Sequence, residues 1–418
     1  MQKSNLNIEK LANDLINNPE LGYKEFKTKE ILVKYLKNNG FKIENECFET
    51  AFSVSIGKGH PHIGLIAELD AIPTPGHKYS NRKDNNAAHS CGHFSQCVIM
   101  ASAMQKLKNE KFNGKVTLFF TPAEEYTDLK YREELINKKK IKYIGGKINM
   151  LDKGLFDDLD IVIHLHAMGE NKYKYSIGSN LAGFVYKKII FKGKAAHGAV
   201  SPHLGINALN AYALFNDALN MLRETFKEED TIRIHGFISE GGQTINSIPE
   251  RVVYECYVRA NNDKSLLDTC KKVDNAAIYS AKALGATCEI NDKPGYLPLI
   301  QNKEINDVIY TNMLKHVKKS EIEVNVPSMA AGDIGDISIF KPTVQFGYGG
   351  FTGVPHGKDF LVKDRKLVYF DAPNLVYDFV LDLLNKLELI KSIANNYKPK
   401  MSKKSYKEFI DAKNWFSK

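Results

Sequence analysis

Apolar positions along the chain change their period, and the changes outline its elements. IEKLANDLI (8–16) and KTKEILVKYLKNNG (27–40) repeat apolar residues at i, i+3, i+4 and i+7, which predicts two amphipathic helices, the second closed by Gly40. HIGLIAEL (62–69), KVTLFFT (115–121) and LDIVIHLH (159–166) are short apolar runs suited to buried parallel strands, and HFSQCVIMASAMQKLK (93–108) reads as a helix after Gly92. From about residue 183 the texture shifts. FVYKKIIFKG, TIRIHGFIS and RVVYECYVRA alternate like half-exposed strands around one long helix, INALNAYALFNDALNMLRETF, and a second helix follows at about 264–284. The first texture then returns with KEINDVIYTNMLKHV, TVQFGYG and NLVYDFVLDLLNKLELI, read as helix, strand and closing helix.

The prediction is an α/β catalytic domain, a mixed but largely parallel sheet with helices on both faces, interrupted by a smaller α+β domain with an antiparallel sheet and two helices. Its segments are 1–182, 183–294 and 295–418, the last ending in a basic tail. In doubly wound sheets ligands collect beyond the carboxyl ends of the strands. At those ends the sequence offers ELDAIP (68–73), TPAEEY (121–126) and HLHAMGE (164–170).

Composition narrows the class. Of 418 residues, 43% are hydrophobic and 26% charged, a soluble globular balance with no run long and apolar enough for a membrane span. The N-terminus lacks the apolar core and small-residue cleavage site of a signal peptide, so a cytoplasmic location is expected. The net charge of +9 is diffuse, gathering in NKKKIK and in YKPKMSKKSYKEF; without interleaved aromatic residues such runs read as solvated surface, and nucleic acid is not an expected partner. Six cysteines are too scattered for a disulfide scaffold.

NAAHSCGHFSQCV (86–98) puts two histidines and two cysteines into one short stretch. A redox pair favours Cys-x-x-Cys, and a structural knuckle needs four closed ligands; neither fits. With Glu124, Glu125, His166 and a late His356 in GVPHGKDF, Cys91 and His93 complete a mixed thiolate, imidazole and carboxylate set, spread over several strand ends as in a catalytic site with an open position. The donors exceed the needs of one tetrahedral ion, which suggests two ions, zinc or manganese with cobalt also suitable. Such a pair sharpens a water molecule and polarises a carbonyl for amide hydrolysis. Of the adjacent glutamates, one would bind metal and the other move the proton. Cys97 reads as core, His164 as packed or supporting, and Glu68 and Asp70 as groups that steady the ligands. Asp333 and Asp336 suit either a helix cap or a site role, and Arg259 either an exposed structural residue or a clamp on a carboxylate.

NPELGYKE (18–25), ELDAIP, HSCGH (89–93), TPAEE (121–125), AAHGAVSPHLGINALNA (195–211) and INSIPE (245–250) together resemble the metallopeptidase family of aminoacylases, hippurate hydrolases and auxin-conjugate hydrolases, over about residues 15–385. GDIGDIS (332–338), PTVQ and GVPHG resemble its aminobenzoyl-glutamate hydrolase branch. The resemblance implies that Cys91, His93, Glu125, His166 and His356 bind two metal ions per subunit, with Cys91 bridging them and Glu124 as general base. It further implies that His197 stabilises the oxyanion, commonly in the partner subunit's site, and that Asn246 contacts a small substrate bearing a free carboxylate, with Arg259 as the candidate clamp. It implies a homodimer formed through the inserted domain. The alternatives are a dipeptidase of the same family and a non-catalytic relative that binds a small ligand. Two departures stand out: Phe94 occupies a position usually Asp or Asn, which removes a supporting hydrogen bond, and the stretch YTDLKYREELINKKKIKYIGG is long, with the capacity to line the pocket.

Overall fold

The computed structural model describes residues 2–411, with side chains from Asn7. The chain forms two compact units. The first comprises Met1–Asn180, Ile300–Pro327 and Asp336–Lys400, and holds an eight-stranded sheet. Its four central strands, Gly114–Thr121, His62–Glu68, Ile161–Ala167 and Thr343–Tyr348, lie side by side and run parallel. His62–Glu68 is buried along its whole length, as a strand with helices on both faces must be. The helices Gln2–Ile16, Phe26–Asn38, His93–Leu107, Lys303–His316 and Ala372–Asn385 pack apolar residues into the same core. The predicted elements are present, and Gly40 adopts φ 73° directly after its helix.

The edges were less legible. Glu44–Cys47 and Ala51–Lys58 form a hairpin, and the three-residue strands Tyr175–Ile177 and Ile322–Val324 extend the opposite side. None of these was predicted.

The second unit comprises Leu181–Leu299, Ser328–Gly335 and the chain from Met401 onward. Gly183–Lys192, Arg233–Glu240, Arg251–Ala260 and Thr287–Pro294 make a four-stranded antiparallel sheet covered by the helices Ala208–Leu222 and Asp263–Ala283. Ser328–Gly335 joins it through main-chain bonding: Ala182 N–H donates to Ala330 O, and Arg259 Nη1 to Met329 O. The helix Lys403–Asp411, in the basic tail, turns Tyr406, Phe409 and Ile410 inward; the last residues of that tail lie outside the described residues.

Candidate metal centre

The carboxyl ends of the parallel strands bring the sequence-predicted donors together. Gly92, at φ 85°, ends the HSCGH turn and starts the following helix; a side chain there would collide with Ala167. That turn places Cys91 and His93 beside the end of Ile161–Ala167, and Cys91 Sγ lies 3.4 Å from His166 Nε2. On its other side stand Glu125 and His356, with His356 Nε2 at 3.1 Å from Glu125 Oε1. Cys91, His93 and His166 form one trio of ligand atoms within 4.8 Å of one another, and Cys91, Glu125 and His356 form another. The thiol belongs to both.

The ring nitrogens are set for this use. His93 Nδ1 donates to Asp70 O at 2.9 Å and approaches Asp70 Oδ1 at 3.2 Å, while His166 Nδ1 donates to Ala167 O at 2.9 Å. Each imidazole thereby turns Nε2 toward the cluster. Asp70 also accepts the Glu125 N–H at 2.9 Å, so one buried carboxylate orients two donors. His356 adopts φ 70° and is anchored by its own N–H to Ser90 O at 2.8 Å.

The electrostatics suit cations. Burial, and then the Glu125 carboxylate, push the Cys91 thiol up. Burial pushes the His166 imidazole down to about 4, keeping it neutral. Burial also opposes charge on Glu125, yet the adjoining His356 imidazole draws that carboxyl down to about 2. Two buried atoms, His93 Nε2 and Glu125 Oε1, have no hydrogen-bond partner among the described residues. Orphaned donor atoms converging on a shared thiol fit metal ions.

Glu124 is buried beside this set, its Oε2 3.9 Å from His93 Nε2, and joins a third trio with Glu68 and His93. Glu68 lies deeper than a simple supporting group. Its Oε2 is 3.1 Å from His93 Nε2 and accepts from Gln96 Nε2 at 2.8 Å; its Oε1 is 2.6 Å from Lys147 Nζ and 3.3 Å from His164 Nε2. Burial opposes its ionisation, but Lys147 and the two imidazoles hold its carboxyl well below the usual range. His164 is thus a packed supporting residue, bonded also to Gln345. Sequence reasoning missed Lys147, whose charge inside IGGKINML would normally mark an exposed position, and Gln96, one helical turn beyond His93. Cys97 is core, its thiol donating to Glu68 O at 3.2 Å. Phe94 is buried and packs against His89, whose burial pushes it down to about 3. Asp333 and Asp336 are both buried.

The remaining predicted residues lie in the second unit. His197 is exposed, and its Nδ1 accepts N–H bonds from Ala199 and Val200 at 3.3 and 3.1 Å, which puts the ring proton on the outward Nε2. Asn246 is exposed, its carbonyl accepting the Gly198 N–H. Arg259 is half-buried over the rings of Phe184 and Tyr257, with its Nε lacking a partner among the described residues.

Comparison with known proteins decides the family. Residues 64–368 match the model of peptidase family M20/M25/M40. The chain belongs to this family. Among curated relatives, the Xaa-Arg dipeptidase of Homo sapiens is 26% identical over 84% of this chain and 76% of its own length. The hippurate hydrolase of Campylobacter jejuni is 26% identical over 78% and 84%, and a p-aminobenzoyl-glutamate hydrolase of Escherichia coli 24% over 89% and 75%. Among solved structures, an aminohydrolase from methicillin-resistant Staphylococcus aureus superposes with a TM-score of 0.76 at 20% identity, covering 90% of this chain and 97% of that one. A dinuclear metal-binding M20 peptidase from Bacillus subtilis gives 0.71 at 16%, covering 92% and 99%. As an M20 metallo-hydrolase the chain cleaves amide or peptide bonds of N-acyl amino acids or dipeptides at a dinuclear metal centre. No described helix is long and apolar enough to cross a membrane.

Proposed function

We propose that this chain hydrolyses the amide bond of a small N-acyl or aminoacyl amino acid carrying a free carboxylate, of the aminobenzoyl-glutamate or N-acyl amino acid type. The observation that carries the reading is the thiol of Cys91, shared between two ligand trios with the Glu124 carboxylate beside them. Cys91, His93 and His166 would hold one ion, and Cys91, Glu125 and His356 the other, zinc or manganese. When bound, the ions supply Lewis acidity toward the amide carbonyl and the attacking water. Glu124 accepts the proton of that water and returns it to the leaving nitrogen. Asp70 keeps His93 and Glu125 oriented through the cycle. His197, with Nε2–H directed outward, is the proposed donor to the developing oxyanion, and Asn246 and Arg259 are the proposed contacts for substrate and its carboxylate.

A dipeptidase reading has support from the human Xaa-Arg dipeptidase relative. A panel of dipeptides, N-acyl amino acids and aminobenzoyl-glutamate separates the two, with the highest kcat/KM expected on the acylated compounds. In Glu124→Gln we expect the metal to stay and turnover to fall by about 10²–10⁴-fold. Unchanged turnover in that variant removes the assigned base. A purified chain that binds metal but turns over nothing in the panel supports a binding protein instead.

A further inference from the structure

The turn that presents the two glutamates is held from outside the cluster. Ala123, immediately before Glu124, adopts φ 54°, a left-handed conformation that strains any residue with a Cβ. Its N–H donates to Glu25 Oε1 at 2.9 Å, and its carbonyl accepts from Gly146 N–H and Arg132 Nη1, both at 3.3 Å. The Arg132 side chain is wholly buried, and among the described residues each of its hydrogen bonds goes to a main-chain carbonyl: Nη1 to Ala123 O and to Ile144 O at 3.2 Å, Nη2 to Glu125 O. The guanidinium lies against the Tyr23 ring, 5.7 Å from its centroid. Gly22 makes room, since a Cβ there would fall on the guanidinium and 2.8 Å from Ala123 Cα.

We propose that Arg132 is a positioning residue for catalysis, acting through the main chain to fix the carbonyls on either side of Glu124. The inference rests on the proposed role of Glu124 as base. Burying a guanidinium on carbonyls alone is costly, and the fold accepts that cost at the one turn whose side chains must point at the reaction. The planar fork spans three carbonyls at once, which a lysine ammonium on its flexible stem cannot reproduce. Arg132 comes from the long stretch after the glutamates, in the helix Leu129–Asn137, which turns Arg132 and Leu135 inward. Part of that stretch therefore serves the turn from behind.

The test compares wild type, Arg132→Lys, Arg132→Met and Gly22→Ala, each as full-length metal-loaded enzyme, by kcat, KM, bound metal and thermal unfolding. A displaced base should lower kcat roughly 10- to 100-fold while KM and metal content stay near wild type. Added methylguanidinium should recover part of the kcat lost in Arg132→Met. Arg132→Lys, which keeps charge and stem, decides the matter where Arg132→Met does not fold. A folded Arg132→Lys with kcat within about two-fold of wild type overturns the proposal, whatever its thermal stability. Failure of the underlying reading looks different: wild type would then be inactive on the panel, or Glu124→Gln fully active.

Discussion

A single thiol and a single lysine set the chemistry at the smallest scale. Cys91 sits where two ligand trios meet, and neither trio survives without it. Lys147 is the hidden counterpart: wholly buried and 2.6 Å from Glu68, it balances one of the carboxylates crowded beneath His93. Removing one member of a buried ion pair leaves an uncompensated charge, so Lys147→Met should lose about 3–5 kcal/mol in denaturant unfolding. Adding Glu68→Gln to it should restore part of that loss. Equal stability of Lys147→Met and wild type would show that Glu68 does not depend on this partner.

Among the elements, what the sequence revealed follows from how each residue's signal arises. The parallel strands were legible because burial on both faces leaves continuous apolar runs, and the donors because they follow those runs directly. The Glu44–Cys47 and Ala51–Lys58 hairpin was not, because its turn uses Phe48 and Glu49 at φ 46° and 66° in place of glycine or asparagine. Arg132 and Lys147 escaped notice because a lone cation in a short polar helix reads as solvated. Glu25 shows what the NPELGYKE motif does: wholly buried, it accepts the Ala123 N–H and the Thr50 hydroxyl at 2.6 Å. Burial, and then Asp70, raise its carboxyl to about 8 from an ordinary value of 4.5. Between those values the folded chain holds a proton that the unfolded chain has released, so this group's stabilisation is lost as pH rises through the window. Glu25→Gln should therefore show a flatter decline in unfolding free energy from about pH 5 to 8 than wild type. Parallel pH profiles for the two proteins would mean that Glu25 is ionised in the fold.

For the whole molecule, the second unit presents an open sheet edge. Arg233–Glu240 pairs on one side only and exposes Phe237 and Ile238, and the helix Ala208–Leu222 exposes Leu214 and Met221. Unpaired strand edges with apolar side chains favour self-association. The proposed homodimer uses this face, so Phe237→Asp with Ile238→Asp should shift the mass seen by light scattering from dimer to monomer. A wild-type monomer at micromolar concentration would dispose of that dimer. The central claim concerns the ions themselves. Elemental analysis of the purified chain, after loading with zinc or manganese and removal of excess, tests it most directly when paired with Cys91→Ala. We expect about two tightly held ions per wild-type chain and fewer than one in the variant, because both trios lose the shared thiolate. Less than one ion in wild type, or an unchanged content in Cys91→Ala, would contradict a centre built around this cysteine.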